Sequence, residues 1–511
     1  MSKQKKMVCN PYLPDWEYVP DGEPHQFGDR IYIYGSHDRF GAPIFCVNDY
    51  VCWSSPADDL SDWRYEGVIY RKRQDPSNPL GLRSLYAPDV AQGKDGNFYL
   101  YYAFDFLGRI GVARADHPAG PYSFYGYVHF PDGHVWGTRN GEPFPFDPGV
   151  LVDDDGQVYL FSGFAPKVPM AASRMHCLKS EGGVVAVLAP DMLTIRKGPD
   201  LLFPNNHYRP EDQSMGEDAD LKAAVTSLEH PRAFPGHAFF EASSIRKADG
   251  RYYFVYSSEH NHDLCYATAD QPEGPYTYGG VLVDIGDLDM QARKDESHAD
   301  NYLGNTHGGL LQIGAQWYIF YHRQTNRSSF ARQACAERLT RTPDGGFRQA
   351  AVTSSGLHEG PLPGIGTYHA SMACMLWARQ GTGRYDVPFA RFRFAAHPYL
   401  TQSGRDREED GNQYIANMRD GATAGFRYFN FTDSPQWIAA ELSGNGTGQL
   451  AVYQDRNCTA ECARIPVVRG RADDPAAMRI LAENGEERRC SLFFRFEGRG
   501  HVHFHTFTLS Q

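Results

Sequence analysis

The sequence lacks an excess of positive charge and any long apolar run. Its 511 residues carry a formal net charge of −12 at pH 7, which disfavours nucleic acid as a partner because nucleic-acid binding requires a basic surface. No apolar run reaches the roughly eighteen residues that a transmembrane helix needs. The basic N-terminal segment is not followed by the apolar stretch of a secretory signal. We therefore expect a cytoplasmic protein that binds neither nucleic acid nor membranes.

The ten cysteines lack the spacing of a metal site. Cys458 and Cys462 are separated by three residues, but no second cysteine pair or histidine partner completes a ligand set. We interpret them as reduced thiols of a cytoplasmic protein. A chain of 511 residues is too long for one ordinary core, so two domains are expected.

What the sequence does contain is a strand unit repeated five times. Each unit centres on a tyrosine within a short run of aromatic and β-branched residues, and these tyrosines are Tyr32, Tyr99, Tyr159, Tyr253 and Tyr318. Asp-Gly pairs, which favour tight hairpins, precede three of the strands. Tyr122 and Tyr276 each follow their repeat tyrosine by 23 residues. This second match indicates that two units continue into an equivalent outer strand.

Repeated antiparallel units of this length predict an all-β fold, a five-bladed β-propeller over residues 1–345. A sandwich built from the same strands is the alternative, but it would not give a matched polar position in every repeat. Residues 346–370 are rich in Gly, Pro and Ser and are interpreted as a linker. Alternating apolar residues over 371–511 predict a C-terminal β-sandwich. The polar insertion at about 203–232 is expected to decorate the propeller face.

An acid or a histidine stands ten to twelve residues before each repeat tyrosine, namely Asp21, Asp89, Asp147, Glu241 and His307. Equivalent positions in a closed ring face one axis, so these side chains should converge. Carboxyls that share a cavity push their pKa values apart, and glycosidic bond cleavage uses one protonated and one ionised carboxyl. From the residues alone, Asp21 can also be an ordinary turn residue. Asp89 can be an acid of the core, and His307 can be a structural residue.

Five segments of the chain resemble glycoside hydrolase family 43 over residues 8–340. They are NPYLPDWEYVPDGEPHQFGDRIYIYGSHD, LYAPDV, FDPGVLVDDDGQVYLFSG, FFEASSIRKADGRYYFVYSS and NTHGGLLQIGAQWYIFYHR. The resemblance implies a five-bladed propeller that hydrolyses with inversion, with Asp21 as general base and Glu241 as general acid. Asp147 would tune the acid and orient the sugar. Inversion predicts base and acid carboxyls roughly 6.5–9.5 Å apart.

The position of Asp89 in its repeat makes it either a substrate-binding residue of the site wall or a core acid. The resemblance implies further site residues, and by it Arg323 would contact substrate and help keep Asp147 ionised. Tyr86 replaces a tryptophan common in the family, which would alter stacking at that wall. His307 would contact substrate and hold a calcium ion, although a ligand set so poor in carboxylate suggests weak or structural binding.

The C-terminal region is similar to family 6 carbohydrate-binding modules through GFRYFNF and FRFEGRGHVHFHTFTL. A sandwich that packs against the propeller and stabilises it is an equal alternative.

The expected activity is exo-hydrolysis that releases terminal α-L-arabinofuranosyl residues from plant-type oligosaccharides. A β-D-xylosidase, a dual enzyme and an exo-β-galactanase are alternatives within the class. A non-catalytic sugar-binding propeller would lack one of the three acids, and none is missing. A fructan-acting enzyme would have Glu-Cys where this chain has Glu241-Ala242.

Overall fold

The computed structural model describes residues 8–209, 220–287, 290, 296–408, 412–432, 435–480 and 489–511. Strands dominate these residues, which confirms the all-β prediction. One short helix, α1 (Ala390–Arg393), and four single-turn 3-10 helices accompany them, at Lys72–Gln74, Leu221–Ala223, Glu296–His298 and Ala370–Met372. No helix within the described ranges has the length and apolar character needed to cross a membrane.

Five antiparallel sheets follow one another along the chain and form the blades. Blade 1 contains β1 (Glu23–Phe27), β2 (Arg30–Tyr34), β3 (Tyr50–Pro56) and β4 (Arg64–Tyr70). Blade 2 contains β5 (Asp89–Gln92), β6 (Phe98–Ala103), β7 (Ile110–Ala115) and β8 (Ser123–Tyr127). Blade 3 contains β9 (Gly149–Val152), β10 (Val158–Phe164), β11 (Gly182–Leu188) and β12 (Ile195–Pro204).

Blades 4 and 5 complete the set. Blade 4 contains β13 (Val225–Thr226), β14 (Phe239–Ala248), β15 (Arg251–Ser258), β16 (Leu264–Ala269) and β17 (Tyr276–Val283). Blade 5 contains β18 (Leu310–Ile313), β19 (Gln316–Thr325) and β20 (Ser328–Leu339). Of the predicted insertion at 203–232, positions 210–219 lie outside the described residues, and β13 pairs with β17 at the edge of blade 4.

One inner strand of each blade, namely β1, β5, β9, β14 and β18, takes part in a closed ring. Strand β1 contacts β5, β5 contacts β9, β9 contacts β14, β14 contacts β18, and β18 contacts β1. A separate apolar core fills each of the five interfaces between neighbouring blades. The N-terminal segment closes the ring, because Tyr12 N–H donates to the carbonyl of Ala334 in β20 at 3.2 Å. The sheets therefore form a five-bladed propeller.

Two sheets form the predicted C-terminal sandwich. In chain order its strands are β21 (Leu362–Pro363), β22 (Gly366–His369), β23 (Met375–Trp377), β24 (Tyr399–Gln402), β25 (Gln413–Met418), β26 (Thr423–Asn430), β27 (Trp437–Gly444), β28 (Thr447–Tyr453), β29 (Glu461–Val467), β30 (Ala476–Ala477), β31 (Arg489–Arg499) and β32 (Val502–Ser510). Phe426 and Phe494 of one sheet pack against Phe504 and Phe507 of the other.

The segment 346–370, which its composition suggested to be a linker, is largely packed into the protein. Strand β21 pairs with β26 and strand β22 pairs with β32, so both belong to the sandwich sheets. Ser354 is fully buried, and its backbone joins Asn10 of the propeller to Arg427 of the sandwich. Small residues suit such close backbone contacts as well as they suit a flexible connection. The two domains consequently share a built interface.

Candidate active site

A cavity of about 280 Å³ opens where the first strands of the blades begin. Asp21 stands two residues before β1, Asp147 two residues before β9, and Glu241 is the third residue of β14. All three line the cavity, as the ring argument predicts, together with His307. Aromatic side chains form its walls, namely Phe45, Tyr86, Phe106, Phe146, Phe164 and Phe240. The cavity is therefore an apolar cleft with three carboxyls.

The backbone is unusual at each of the three acids. Asp21 and Asp147 have φ values of 57° and 45°, and Ala242, which follows Glu241, has φ of 70°. The pairing of β14 with β15 also shifts in register on both sides of Glu241. Such left-handed conformations in residues other than glycine cost on the order of 1–3 kcal/mol each and are concentrated at functional sites. These departures from regular strand geometry occur at matching points of three blades.

Asp21 is held by a buried arginine that no sequence motif marks. Arg332 donates from Nη1 to Asp21 Oδ1 at 2.9 Å, and from Nε and Nη2 to the two oxygens of Asp38 at 2.9 and 3.0 Å. Burial alone would raise the pKa of Asp21, but the Arg332 charge and the neighbouring His322 hold it well below its usual range. Asp21 is therefore ionised across the physiological pH range.

Asp147 and Glu241 have the opposite electrostatic character. Burial raises the pKa of Asp147 well above its usual range, and the charges of Glu241 and Asp21 add to this effect. Burial and the Asp21 charge raise the pKa of Glu241 to about 8. Two neighbouring carboxyls of this kind titrate as a pair and retain a proton near neutral pH.

The two carboxyls of the pair differ in their hydrogen bonds. Asp147 Oδ2 accepts from the Ala242 N–H at 3.2 Å, a bond that favours the ionised form. The Glu241 carboxyl has no side-chain hydrogen bond from the described residues, and it faces the cavity. The arrangement therefore provides an ionised Asp21 and a protonated Glu241 within one cleft.

The structure corrects the substrate role predicted for Arg323. Arg323 does not line the cavity; it donates to the carbonyls of Ala373 and Ser371 at 2.9 and 2.6 Å, at the junction with the sandwich. Successive side chains of a strand point to opposite faces of the sheet. The positive charge beside the acids comes from Arg332 of β20 and not from Arg323 of β19. Little in the sequence indicates this role, because SSFARQAC contains no feature that sets its arginine apart from other strand arginines.

The substrate role predicted for Asp89 is also wrong, whereas Tyr86 and His307 lie in the cavity wall. Asp89 is fully buried and does not line the cavity. Its carboxylate lies 2.6 Å from His25 Nε2 and accepts the Val150 N–H at 2.7 Å. Asp89 is therefore a hydrogen-bonded acid of the core, which is the alternative interpretation of its position in the repeat.

The residues around His307 do not form a calcium site. His307 Nε2 and Glu23 Oε1 lie 3.9 Å apart, and both are buried without a hydrogen-bond partner among the described residues. Calcium takes six to eight oxygen ligands, and here the protein offers one carboxylate oxygen and one nitrogen. Arg246 Nη2 already donates to the other oxygen of Glu23 at 2.5 Å. A water molecule between the two atoms would hydrogen-bond to both without adding charge.

A second group near the axis is no better suited to a cation. Glu23, His25 and Asp89 are close enough to share an ion. However, His25 is hydrogen-bonded to Asp89, and the Arg246 guanidinium lies against Glu23. Burial also raises the pKa of Glu23 to about 8, which disfavours the carboxylate form that a metal needs.

Comparison with known proteins gives a consistent result. The model of the family described as glycosyl hydrolases family 43 matches residues 10–209. A xylosidase/arabinosidase of Thermoclostridium stercorarium is 42% identical over 505 residues, which cover 99% of each chain. Xylosidase/arabinosidase 43A of Humicola insolens is 30% identical over 329 residues, covering 60% of this chain and 88% of that protein.

Among solved structures, a family 43 arabinoxylan arabinofuranohydrolase of Bacillus subtilis covers 99% of both chains at 20% identity and a TM-score of 0.49. The full-length similarity to the Thermoclostridium protein establishes the class, and the chain is a glycoside hydrolase. It belongs to glycoside hydrolase family 43, which confirms the resemblance found in its repeats.

Proposed function

We propose that the protein is an exo-acting hydrolase that releases a terminal α-L-arabinofuranosyl or β-D-xylosyl residue from short plant-type oligosaccharides, with inversion at the anomeric carbon. The observation that carries this proposal is the division of ionisation states within one cleft. Asp21 is ionised beside Arg332, and burial raises the pKa of Glu241 to about 8. Inverting hydrolysis requires one carboxylate and one carboxylic acid in these roles.

In the proposed mechanism, Glu241 donates its proton to the glycosidic oxygen as the bond from that oxygen to the anomeric carbon breaks. Asp21 takes a proton from the water that attacks the opposite face of the sugar. The products are the free sugar and the shortened oligosaccharide, and proton exchange with solvent then restores Glu241 and Asp21. Asp147 accepts the Ala242 N–H and thereby fixes the backbone next to Glu241, which positions the acid.

Two observations support a small terminal sugar as substrate. The cavity volume of about 280 Å³ is at the lower end of the usual range for ligand sites. The relatives from Thermoclostridium stercorarium and Humicola insolens are both named xylosidase/arabinosidase. Because the two pentoses present similar hydroxyl groups to the same three acids, a dual activity is consistent with one cleft.

The test is a panel of 4-nitrophenyl α-L-arabinofuranoside, β-D-xyloside and β-D-galactoside, with the anomer first formed from the best substrate identified by proton NMR. We expect turnover of the two pentosides, little turnover of the galactoside, and an inverted first product. Faster turnover of polymeric arabinan than of short oligosaccharides would contradict exo action. A retained anomer would contradict the roles given to Asp21 and Glu241.

A further inference from the structure

The C-terminal region supplies one residue to the wall of the catalytic cavity. Asp386 lies beyond the propeller in the sequence, yet it lines the cavity that contains Glu241. Its carboxylate accepts two hydrogen bonds from Arg384, from Nε at 3.0 Å and from Nη2 at 2.7 Å. The Asp386 side chain remains 20% exposed. A fixed, partly exposed carboxylate of this kind can still accept hydrogen bonds from a ligand.

His262 lies opposite Asp386 and belongs to blade 4. It stands in the turn between β15 and β16, and its Nε2 atom is 3.8 Å from Asp386 Oδ2. Its ring packs edge to face against Phe240, with centroids 4.4 Å apart. His262 and Asp386 line the same cavity as Glu241, so the Asp386–His262 pair shares the cleft with the acid.

The two side chains form a complementary acceptor and donor. Burial and the nearby Arg384 charge lower the pKa of His262 to about 4, so its ring is neutral at pH 7 and carries a single N–H. A separation of 3.8 Å is too long for a direct hydrogen bond. One hydroxyl oxygen can lie about 2.8 Å from both atoms, donating to Asp386 and accepting from His262 Nε2–H.

We propose that Asp386 and His262 together bind a hydroxyl group of the sugar on the leaving-group side of the scissile bond. This inference rests on the proposed function. Glu241 protonates the oxygen that departs with the leaving group, while Asp21 activates water on the opposite face of the sugar. Groups beside Glu241 therefore face the leaving group. The sandwich domain thus adds selectivity for oligosaccharides over glycosides without a second sugar.

The test compares Asp386→Asn and His262→Asn with wild type on two substrates that share the cleaved sugar. One substrate is a pentose disaccharide such as β-1,4-xylobiose, and the other is its 4-nitrophenyl glycoside. The hydrogen bond to the Asp386 carboxylate should contribute about 1.5–3 kcal/mol and the one from the neutral His262 ring about 1 kcal/mol, so kcat/KM on the disaccharide should fall roughly 10- to 150-fold in Asp386→Asn and about 5-fold in His262→Asn. On the aryl glycoside the change should stay below about 3-fold, because that substrate has no second sugar.

Two features of the design keep the outcomes distinct. Asn suits position 262, where φ is 57°, because it tolerates left-handed backbone. Asp420→Asn is the matched control, since Asp420 pairs with exposed Arg379 in the sandwich and does not line the cavity. It should behave as wild type on both substrates. Thermal unfolding of each variant monitors folding, and His262→Asn decides the outcome if Asp386→Asn fails to fold.

Equal losses on both substrates, or no loss on the disaccharide, would overturn the inference while leaving the proposed function intact. A wild-type protein that is inactive on every pentoside would instead contradict the proposed function itself.

Discussion

Arg332 of the last blade binds Asp21, which precedes the first blade, with Nη1 and Oδ1 2.9 Å apart. The remaining two sides of the same guanidinium are occupied by Asp38. Arg332 is 2% exposed and its guanidinium lies over the Phe45 ring at 4.8 Å. This contact joins the two ends of the propeller and also sets the charge of the proposed base. The Arg332 side chain therefore both joins the ends of the ring and keeps the Asp21 carboxyl ionised.

Replacing Arg332 by Lys should shift the pH dependence of activity. Lys keeps a positive charge but lacks the fork that binds Asp21 and Asp38 together, so the pKa of Asp21 should rise. Asp21 must be ionised, and activity is lost as the pH falls through its pKa. The acid limb of kcat/KM should therefore move to higher pH, with a loss of about 100-fold or more at pH 5. Arg338→Lys, on the same strand, is the control, and an unmoved acid limb in Arg332→Lys would disprove the link.

Replacing Arg323 by Lys should affect stability rather than catalysis. The Arg323 guanidinium binds the carbonyls of Ala373 and Ser371, and Lys cannot reach both with the same geometry. We expect a loss of about 1–3 kcal/mol in the free energy of unfolding, measured by denaturant titration. kcat/KM on aryl pentosides should stay within about 3-fold of wild type. A large rise in KM with unchanged stability would restore the substrate role that the sequence suggested.

Glu241 should make the folded protein less stable as the pH rises. The unfolded carboxyl titrates near 4.3, whereas burial raises the pKa of the folded one to about 8. Between these values the folded state holds a proton that the unfolded state has released, so stability falls with increasing pH.

Glu241→Gln removes this dependence. The variant should gain roughly 2–4 kcal/mol relative to wild type between pH 4.5 and pH 8, measured by denaturant titration at both values. Glu273→Gln, at a surface pair with Lys197, should show no such gain. An equal stability difference at the two pH values would show that the pKa of Glu241 is not raised.

Removal of divalent cations should leave the enzyme active. His307 and Glu23 offer two ligand atoms, and Arg246 already occupies the other oxygen of Glu23. After dialysis against EDTA, kcat on an aryl pentoside should remain within about 2-fold, and added Ca²⁺ should not raise the melting temperature, since a bound ion stabilises the folded state by mass action. A clear Ca²⁺-dependent gain in either quantity would show that a hydrated ion binds beside His307.

The repeat in the sequence was sufficient to predict the propeller and its three acids, because the hairpin pattern and the polar offset both recur. Asp21, Asp147 and Glu241 could be found since their blades place them at equivalent points. Arg332 could not, because its importance arises from a contact across 311 residues of chain. Asp386 could not be found either, because it lies in the C-terminal region, outside the five repeats. Asp89 stands at nearly the same offset from its repeat tyrosine as the three acids of the cavity, but its partner His25 holds it in the core.

The most direct test of the account is the activity of Glu241→Gln on substrates with good and poor leaving groups. If Glu241 supplies the proton, kcat/KM on a pentose disaccharide should fall by about 10²–10⁴-fold, the usual contribution of a general acid. A 2,4-dinitrophenyl pentoside, whose leaving group needs no proton, should lose far less. Glu273→Gln should match wild type on both. Equal losses on the two substrates, or near-normal activity on the disaccharide, would contradict the central claim.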